Sequence, residues 1–472
     1  MSLRMKFRTV LLWLLVALMA CGTFGLGARL HTREVAALPT GVPVVQASAL
    51  MNFTPEFAPV AVSRTESSPS ENRELLASIA QMVRAWYVDP ITADKEVAMA
   101  RGAVKGMMEA LSDPRSQFLN PADKKLLDDA TAGKFHGIGA VVALRSEKLD
   151  GMQTEKIVVV APMPGSSAEA AGLRPGDCIT HMGGKWIINY SPLETPELKK
   201  AEKDVLNKDI TDEDFKKILK SISDKFDNGV SVNIADALQM LTSIDKGEVN
   251  LTVQRAGQSE PIEFAKVSLA ALQVAPVVSK MIGHGMEYFR ISQFNDSAAA
   301  QFSARIDSAL KSQNRLRGIV LDLRDNPGGQ MESAKRIASK LTGGGLFATI
   351  QERSTRAFIR SPKVHGLNLP VVVLINGGTA NVAEILAGDL QENIDAALVG
   401  TRTFGDGLAQ TPLVLKDGSE AVVTTGKMLT SQGHDFNSKG LDPTRLVPED
   451  KHQNDAQLSE AEKILLAKLG RA

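Results

Sequence analysis

The stretch from Asn376 to Gly388 follows a short apolar run, Val371 to Ile375, and has the composition of a turn that starts a helix. An apolar run, a glycine-rich turn and an alanine- and leucine-rich segment at helical spacing predict strand, turn and helix in that order. This order places the side chain of Asn381 at the N-terminus of the helix. Hydrolases commonly carry a nucleophile at such a position, because nearby backbone N–H groups can stabilise an oxyanion.

A second glycine-bracketed turn runs from Thr403 to Gln410 and carries Asp406 at its centre. A carboxylate can act as a general base, but a carboxamide is a poor nucleophile because its nitrogen lone pair is delocalised. Asn381 therefore offers Asp406 no hydroxyl to activate. The hydroxyl of Thr379 lies two residues earlier in the chain, and we expect it to point elsewhere.

Strands and helices alternate through the last third of the chain, and these elements must position the two turns. Such alternation predicts an α/β domain with its site at the carboxyl ends of the strands. The predicted strands are 286–294, 318–329 (ending in a glycine-rich turn), 370–375 and 397–400. One predicted helix follows the first strand and ends near 311, and three more span 331–341, 383–391 and 455–469.

Short strands and tight turns between Phe135 and Ile179 resemble a PDZ domain. Its carboxylate-binding loop would be formed by Gly137, Ile138, Gly139 and Ala140. A glycine-rich turn leaves backbone N–H groups free to hold a terminal carboxylate, while the adjoining strand edge adds the peptide as an extra strand. The alternative is a small β-domain with tight turns and no ligand.

A polar, charge-rich stretch interrupts this domain from about 187 to 229. Its opposite charges are spaced for helical i,i+4 pairs, so we predict a helical insertion. PDZ domains are usually shorter here. A charge run of this kind is more often a solvated helix face than a surface that docks a partner.

From about Glu71 to Leu469 the chain resembles the C-terminal processing (tail-specific) peptidases. The motifs that carry the resemblance lie at 289–294, 322–329, 404–407 and 440–443. The resemblance implies a multi-domain α/β fold with an N-terminal helical module, a PDZ-like β-domain with a helical insertion, and an α/β protease-like core. We expect these domains at 71–134, 135–267 and 268–472.

Family members that cleave use a serine nucleophile and a lysine general base. The resemblance places the nucleophile position at Asn381, the lysine position at Asp406 and a residue that orients the lysine at Gln410. Candidates for the oxyanion hole are Gly328, Gly329 and Val382. Because loss of a nucleophile removes most of the rate acceleration, the sequence predicts no proteolysis by the family mechanism.

These observations predict a homologue that binds protein C-terminal tails through its PDZ domain without cleaving them, alone or as a regulator of an active relative. One alternative is a working endopeptidase that uses Asp406, Thr379 or an unrecognised group. A second alternative is a structural envelope protein whose groove is blocked by its own insertion.

The N-terminus has the features of an export segment. Three basic residues, Arg4, Lys6 and Arg8, precede the apolar run 10–20. This pattern predicts a signal peptide or an uncut membrane anchor over residues 1–28, which places the rest of the chain outside the cytoplasm, in the cell envelope or periplasm.

The fate of that segment stays open between cleavage, lipidation at Cys21 and membrane anchoring. The residues before Cys21 resemble a lipoprotein cleavage box, in which Met19 fits poorly. Residues 29–70 lack a clear period and are rich in proline, alanine and serine, which predicts a flexible spacer.

The overall composition excludes several functional classes. A chain of 472 residues that is 43% hydrophobic can bury a substantial core. Because 54 basic residues balance 54 acidic ones, we expect no nucleic-acid partner. The two cysteines and seven scattered histidines predict neither a disulfide framework nor a metal site, and no cofactor is expected.

Overall fold

The computed structural model describes residues 69–111, 113, 115–149, 152–188, 196–207, 209–227, 231–243, 247–311, 316–449 and 455–470. The predicted export segment at 1–28 and the spacer up to residue 68 lie outside the described residues. In the described part of the chain, no helix is both long enough and apolar enough to span a bilayer.

The helices are α1 Pro69–Trp86, α2 Ala93–Glu109, α3 Pro121–Thr131, α4 Ser167–Ala171, α5 Pro196–Asn207, α6 Asp212–Asp227, α7 Ile234–Leu241, α8 Ala298–Lys311, α9 Met331–Thr342, α10 Val382–Ile394 and α11 Ala456–Leu469. The strands are β1 Gln117–Leu119, β2 Lys134–Phe135, β3 Ala140–Leu149, β4 Met152–Pro162, β5 Cys178–Met182, β6 Lys185–Ile188, β7 Ser231–Asn233, β8 Gly247–Gln254, β9 Ile262–Leu269, β10 Leu272–Gln273, β11 Val277–Gly283, β12 Met286–Ile291, β13 Gly318–Asp322, β14 Gly345–Glu352, β15 Arg356–Ser361, β16 Val371–Ile375, β17 Ala397–Gly400, β18 Leu408–Val414, β19 Glu420–Leu429 and β20 Arg445–Leu446.

The chain divides into two compact units after Pro90. The described part of the first unit is α1 and the few residues that follow it. Helices α2 and α3 belong to the second unit, so the predicted helical module is shared between the two. Helix α3 begins where the side chain of Asn120 accepts hydrogen bonds from the N–H groups of Ala122 and Asp123, at 2.8 and 3.0 Å.

The PDZ-like domain is built on a seven-stranded sheet with the order β3-β4-β5-β6-β7, in which β8 pairs with β5 and β9 with β8. Its core is apolar and includes Ile157, Val159 and Leu251 from the sheet and Leu241 from α7. The predicted insertion is helical, as expected: α5 and α6 pack against each other through Leu198, Ala201 and Phe215.

The C-terminal core is a three-layer α/β domain. Its six-stranded sheet has the order β11-β12-β13-β16-β17-β20, with β11 antiparallel and the remaining strands parallel. Alternate side chains of each strand face opposite layers. One face packs on α8, α9 and α10, and the other on α11 through Ala461 and Leu465. The predicted site turns follow the carboxyl ends of the parallel strands, as expected for this architecture.

A second sheet in this core was not predicted from the sequence. It has the order β1-β19-β14-β15, and β18 also pairs with β19. One face of this sheet packs against the core through side chains such as Ile350 and Met428. Strand β18 starts directly after the turn that carries Asp406, so this sheet fixes one side of the candidate site.

Candidate functional site

Asn381 lies where the sequence places it, between β16 and the first turn of α10. Its backbone has φ 55° and ψ −121°, a conformation that residues other than glycine rarely adopt. The Asn381 N–H donates to the carboxylate of Glu384 at 3.0 Å, and the Glu384 N–H donates to the Asn381 carbonyl at 3.0 Å. The surrounding turn therefore holds the backbone in a conformation that costs free energy, a common feature of functional sites.

Two glycines in the turn after β13 leave no room for a side chain. Gly328 has φ 102°, and a Cβ on it would lie 2.9 Å from the Cβ of Asn381. Gly329 has φ 122°, and its Cβ would lie 2.2 Å from the Phe294 carbonyl oxygen. Both sites require glycine, through backbone conformation and close approach together.

The three oxyanion-hole candidates differ in how their N–H groups are used. The Gly328 N–H donates to Oδ1 of Asn326 at 2.9 Å, so it is already occupied. Among the described residues, the hydrogen bonds of this turn leave the N–H groups of Gly329 and Val382 unused. These two groups are the donors that could still stabilise an oxyanion beside Asn381.

The hydroxyl of Thr379 makes two hydrogen bonds to the backbone. It donates to the Leu323 carbonyl at 2.8 Å and accepts from the Asn376 N–H at 3.0 Å, and the residue is fully buried. It therefore points away from Asp406, as expected, and is not positioned to replace a serine nucleophile.

Asp406 is buried and paired with an arginine. Its Oδ2 accepts from the Arg115 guanidinium at 2.5 Å, while its Oδ1 has no hydrogen-bond partner among the described residues. The site therefore has a cation, but a guanidinium stays protonated in proteins and cannot act as a general base. Arg115 precedes β1 and was not identified by sequence reasoning.

Glu384 ties the two turns together. Its carboxylate accepts from the N–H groups of Gly405 and Asp406, both at 2.8 Å, and from the Thr403 hydroxyl at 2.5 Å, in addition to Asn381. Burial raises the pKa of Glu384 to about 7, although these hydrogen bonds oppose the rise. The sequence analysis overlooked it, but its place three residues after Asn381 is the capping-box spacing.

Gln410 lies on β18, opposite Thr424 of β19. Its Nε2 is buried and has no hydrogen-bond partner among the described residues. The Thr424 N–H donates to the hydroxyl of Ser116, the neighbour of Arg115, at 3.0 Å. The structure thus brings Gln410 to the same side of the site as the Arg115–Asp406 pair.

The PDZ-like domain covers both turns. Arg145 of β3 donates to the Phe404 carbonyl at 2.9 Å, and its guanidinium lies 4.1 Å from the centre of the Phe404 ring. Beside it, Val158 and Val160 pack on Phe404 and Ala380. Burial, followed by the charge of Arg115, lowers the pKa of Arg145.

The predicted carboxylate-binding loop packs against the end of α7. The Ile138 N–H donates to the Leu241 carbonyl at 3.1 Å, and a Cβ on Gly137 would lie 1.8 Å from that oxygen. The Gly139 carbonyl accepts from the Met163 N–H at 2.9 Å. Within the described residues, the strand that starts at Ala140 pairs with β4 alone, so its other edge is free to add a peptide strand.

Two family models match this chain. One, described as peptidase family S41, matches residues 285–447, and one described as a PDZ domain matches residues 158–195. In the described parts of the chain, no group of three or more histidine, cysteine, aspartate or glutamate residues could hold a metal ion.

Curated relatives match over most of the chain. Carboxy-terminal processing protease CtpA of Bacillus subtilis (strain 168) is 28% identical over 404 residues, which is 85% of this chain and 74% of that protein. A probable CtpA-like serine protease of Staphylococcus aureus (strain COL) is 27% identical over 398 residues, 83% of this chain and 68% of that protein.

A solved structure, the photosystem II D1 C-terminal processing protease, has a similar fold. Its TM-score is 0.56 at 23% identity, over 82% of this chain and 90% of that one. The chain is a multi-domain α/β protein with a peptidase family S41 domain and a PDZ domain. The chain is a homologue of the proteins named CtpA, and the family resemblance is confirmed.

Proposed function

We propose that this chain binds the C-terminal tails of proteins through its PDZ domain and does not cleave them by the Ser/Lys mechanism. The observation that carries the proposal is the arrangement of three side chains: a carboxamide at Asn381, a carboxylate at Asp406, and the Arg115 guanidinium bonded to that carboxylate. This arrangement contains neither a nucleophilic hydroxyl nor an amine base.

The neighbouring groups supply no replacement. The hydroxyl of Thr379 is used by Leu323 and Asn376. The Glu384 carboxylate accepts hydrogen bonds from both turns, so its oxygens are directed at backbone donors instead of at the cleft. An endopeptidase with a non-standard group is the alternative, and its best support is the unpartnered Oδ1 of Asp406.

Binding of C-terminal tails rests on the PDZ domain. The relatives are named for carboxy-terminal processing, which supports a protein C-terminus as the ligand. The open edge of β3 supports strand addition. An incoming carboxylate must compete with the Leu241 carbonyl for the Ile138 N–H, the feature that best supports the structural-protein alternative.

The same proposal places the protein outside the cytoplasm, with the N-terminal segment as export signal or membrane anchor. The basic residues before the apolar run 10–20 support it. The second partner in this proposal is an active peptidase relative, because a tail-binding homologue without hydrolysis could deliver or withhold substrates.

The test uses the full-length chain with a fluorescent peptide and an unfolded protein. We expect the peptide to bind when its C-terminal carboxylate is free and to lose binding when that carboxylate is amidated, while the unfolded protein stays intact. Ile138→Pro removes the N–H for which the carboxylate competes with the Leu241 carbonyl, so this loop variant should lose binding of the free acid. Cleavage that disappears in Asn381→Ala or Asp406→Ala would contradict the proposal, and equal binding of the acid and the amide would favour a structural role.

A further inference from the structure

Strand β15 is an edge of the second sheet of the core. It pairs with β14 alone within the described residues. The side chains of Arg356, Phe358 and Arg360 alternate along it and are exposed, while those between them turn inward. Phe358 is 60% exposed at the centre of this row. The edge therefore presents an aromatic ring between two cations, all on one face.

This face is positively charged. In the part of the chain that the structure describes, Arg356, Arg360 and the neighbouring Arg353 have no carboxylate within ion-pair distance. Arg356 pairs with Gln351 of β14, and Gln351 pairs in turn with Lys427 of β19, so Lys427 lies on the same face. The Lys427 amine is 3.9 Å from Oδ2 of Asp435. A cavity of about 910 Å³ lies over this face. Three basic residues line it, Arg353, Arg356 and Lys427, against two acidic ones, Glu352 and Asp435, so positive charge predominates.

Charged residues on an edge strand usually prevent pairing with other chains. An exposed phenylalanine in the middle of the same edge has the opposite effect, because it offers apolar area where a foreign strand would lie. Aromatic residues and arginines are also the side chains that most often dominate binding interfaces. Arginines on both sides of an exposed phenylalanine therefore favour an edge that binds a strand with complementary side chains, and not an edge that excludes every strand.

We propose that the β15 edge binds an extended acidic segment of a partner protein by strand addition, at a site separate from the PDZ groove. Opposed residues of paired strands place their side chains on the same face. The partner strand therefore needs acidic residues opposite Arg356 and Arg360 and an apolar residue opposite Phe358, which is the pattern acidic-x-apolar-x-acidic.

The probe is a synthetic peptide containing Glu-Thr-Val-Thr-Glu, acetylated and amidated so that it has no C-terminal carboxylate for the PDZ loop. Fluorescence anisotropy with the full chain should show binding that weakens as salt is added. A peptide of the same composition with adjacent glutamates, which would point to opposite faces, should bind about tenfold more weakly.

The decisive variants exchange the charges. The double variant Arg356→Glu with Arg360→Glu should no longer bind the glutamate peptide and should bind the same peptide with lysine in place of each glutamate. Phe358→Ala should weaken peptide binding about tenfold. Arg317→Glu, at an exposed arginine directly before β13 of the other sheet, is the control and should change nothing.

Two results would overturn the proposal. One is failure of the charge-exchanged variant to reverse the preference between the peptides. The other is binding of phosphatidylglycerol vesicles, lost in the same double variant, with no binding of the peptide, which would identify a membrane surface instead. Both are independent of tail binding, because the probe has no free C-terminus.

Discussion

The Arg115 guanidinium lies 2.5 Å from Oδ2 of Asp406, so the cation of this site comes from the segment before β1 and not from the glycine-bracketed turn. In the active family the turn itself supplies the cation. Here the turn supplies the carboxylate, and the cation comes from another part of the chain.

Arg115→Ala should destabilise the fold by about 2 kcal/mol, because it leaves a carboxylate buried without its partner. Urea unfolding of the variant measures the effect. The double variant Arg115→Ala with Asp406→Asn should recover most of the loss, since the uncompensated charge is gone. If the double variant were as unstable as the single one, the ion pair would not be the cause.

Building the family's serine and lysine into this site should require three substitutions. Asn381→Ser with Asp406→Lys rebuilds the family pair but places the new lysine against Arg115. At that distance the guanidinium occupies the space that the longer lysine side chain needs, so the lysine is displaced from the position beside residue 381. Adding Arg115→Ala removes the conflict, so we expect the triple variant to degrade an unfolded protein faster than the double one. Equal rates would show that Arg115 is no obstacle.

Gly328→Ala should disrupt the site through contact as well as strain. Its Cβ would meet that of Asn381 at 2.9 Å, whereas a Cβ on Gly433, at φ 88°, has nothing within 4 Å. Both substitutions force alanine into a left-handed backbone at about 1–2 kcal/mol. The Gly328 variant should lose about 1–3 kcal/mol more in thermal or urea unfolding. Equal losses would argue against close packing at the turn.

Asp389 on α10 should make stability fall as the pH rises. Burial raises its pKa from 3.8 to about 7, so the folded state binds a proton that the unfolded state releases. The resulting stabilisation is complete below 3.8 and is lost as the pH rises through about 7. Asp389→Asn lacks this dependence, so its advantage in urea unfolding should grow from about pH 5 to about pH 8. A constant difference would refute the assignment.

The fold of the core could be predicted because its inner strands are short apolar runs. The run at 371–375 is buried throughout, and the turn after it places Asn381 at a helix N-terminus, as the sequence indicates. Strands of this kind have the same environment on both faces, so composition alone identifies them.

The second sheet could not be predicted in the same way. Strand β18 is mostly exposed and contains Pro412, so no local period reveals it. It forms a hairpin with β19, but the other strands that pair with β19 come from distant parts of the chain. Arg115 was missed for a related reason. It meets Asp406 across 291 positions of sequence, and nothing near either residue signals the pairing.

The Glu384 carboxylate accepts three of its hydrogen bonds from backbone N–H groups, which every residue except proline provides. The spacing between the two turns is therefore insensitive to which side chains occupy positions 381 and 406. A lineage can exchange a reactive pair for an inert one in single steps without losing the architecture. The same property lets the scaffold keep a shape that binds other molecules, whether or not the site cleaves them.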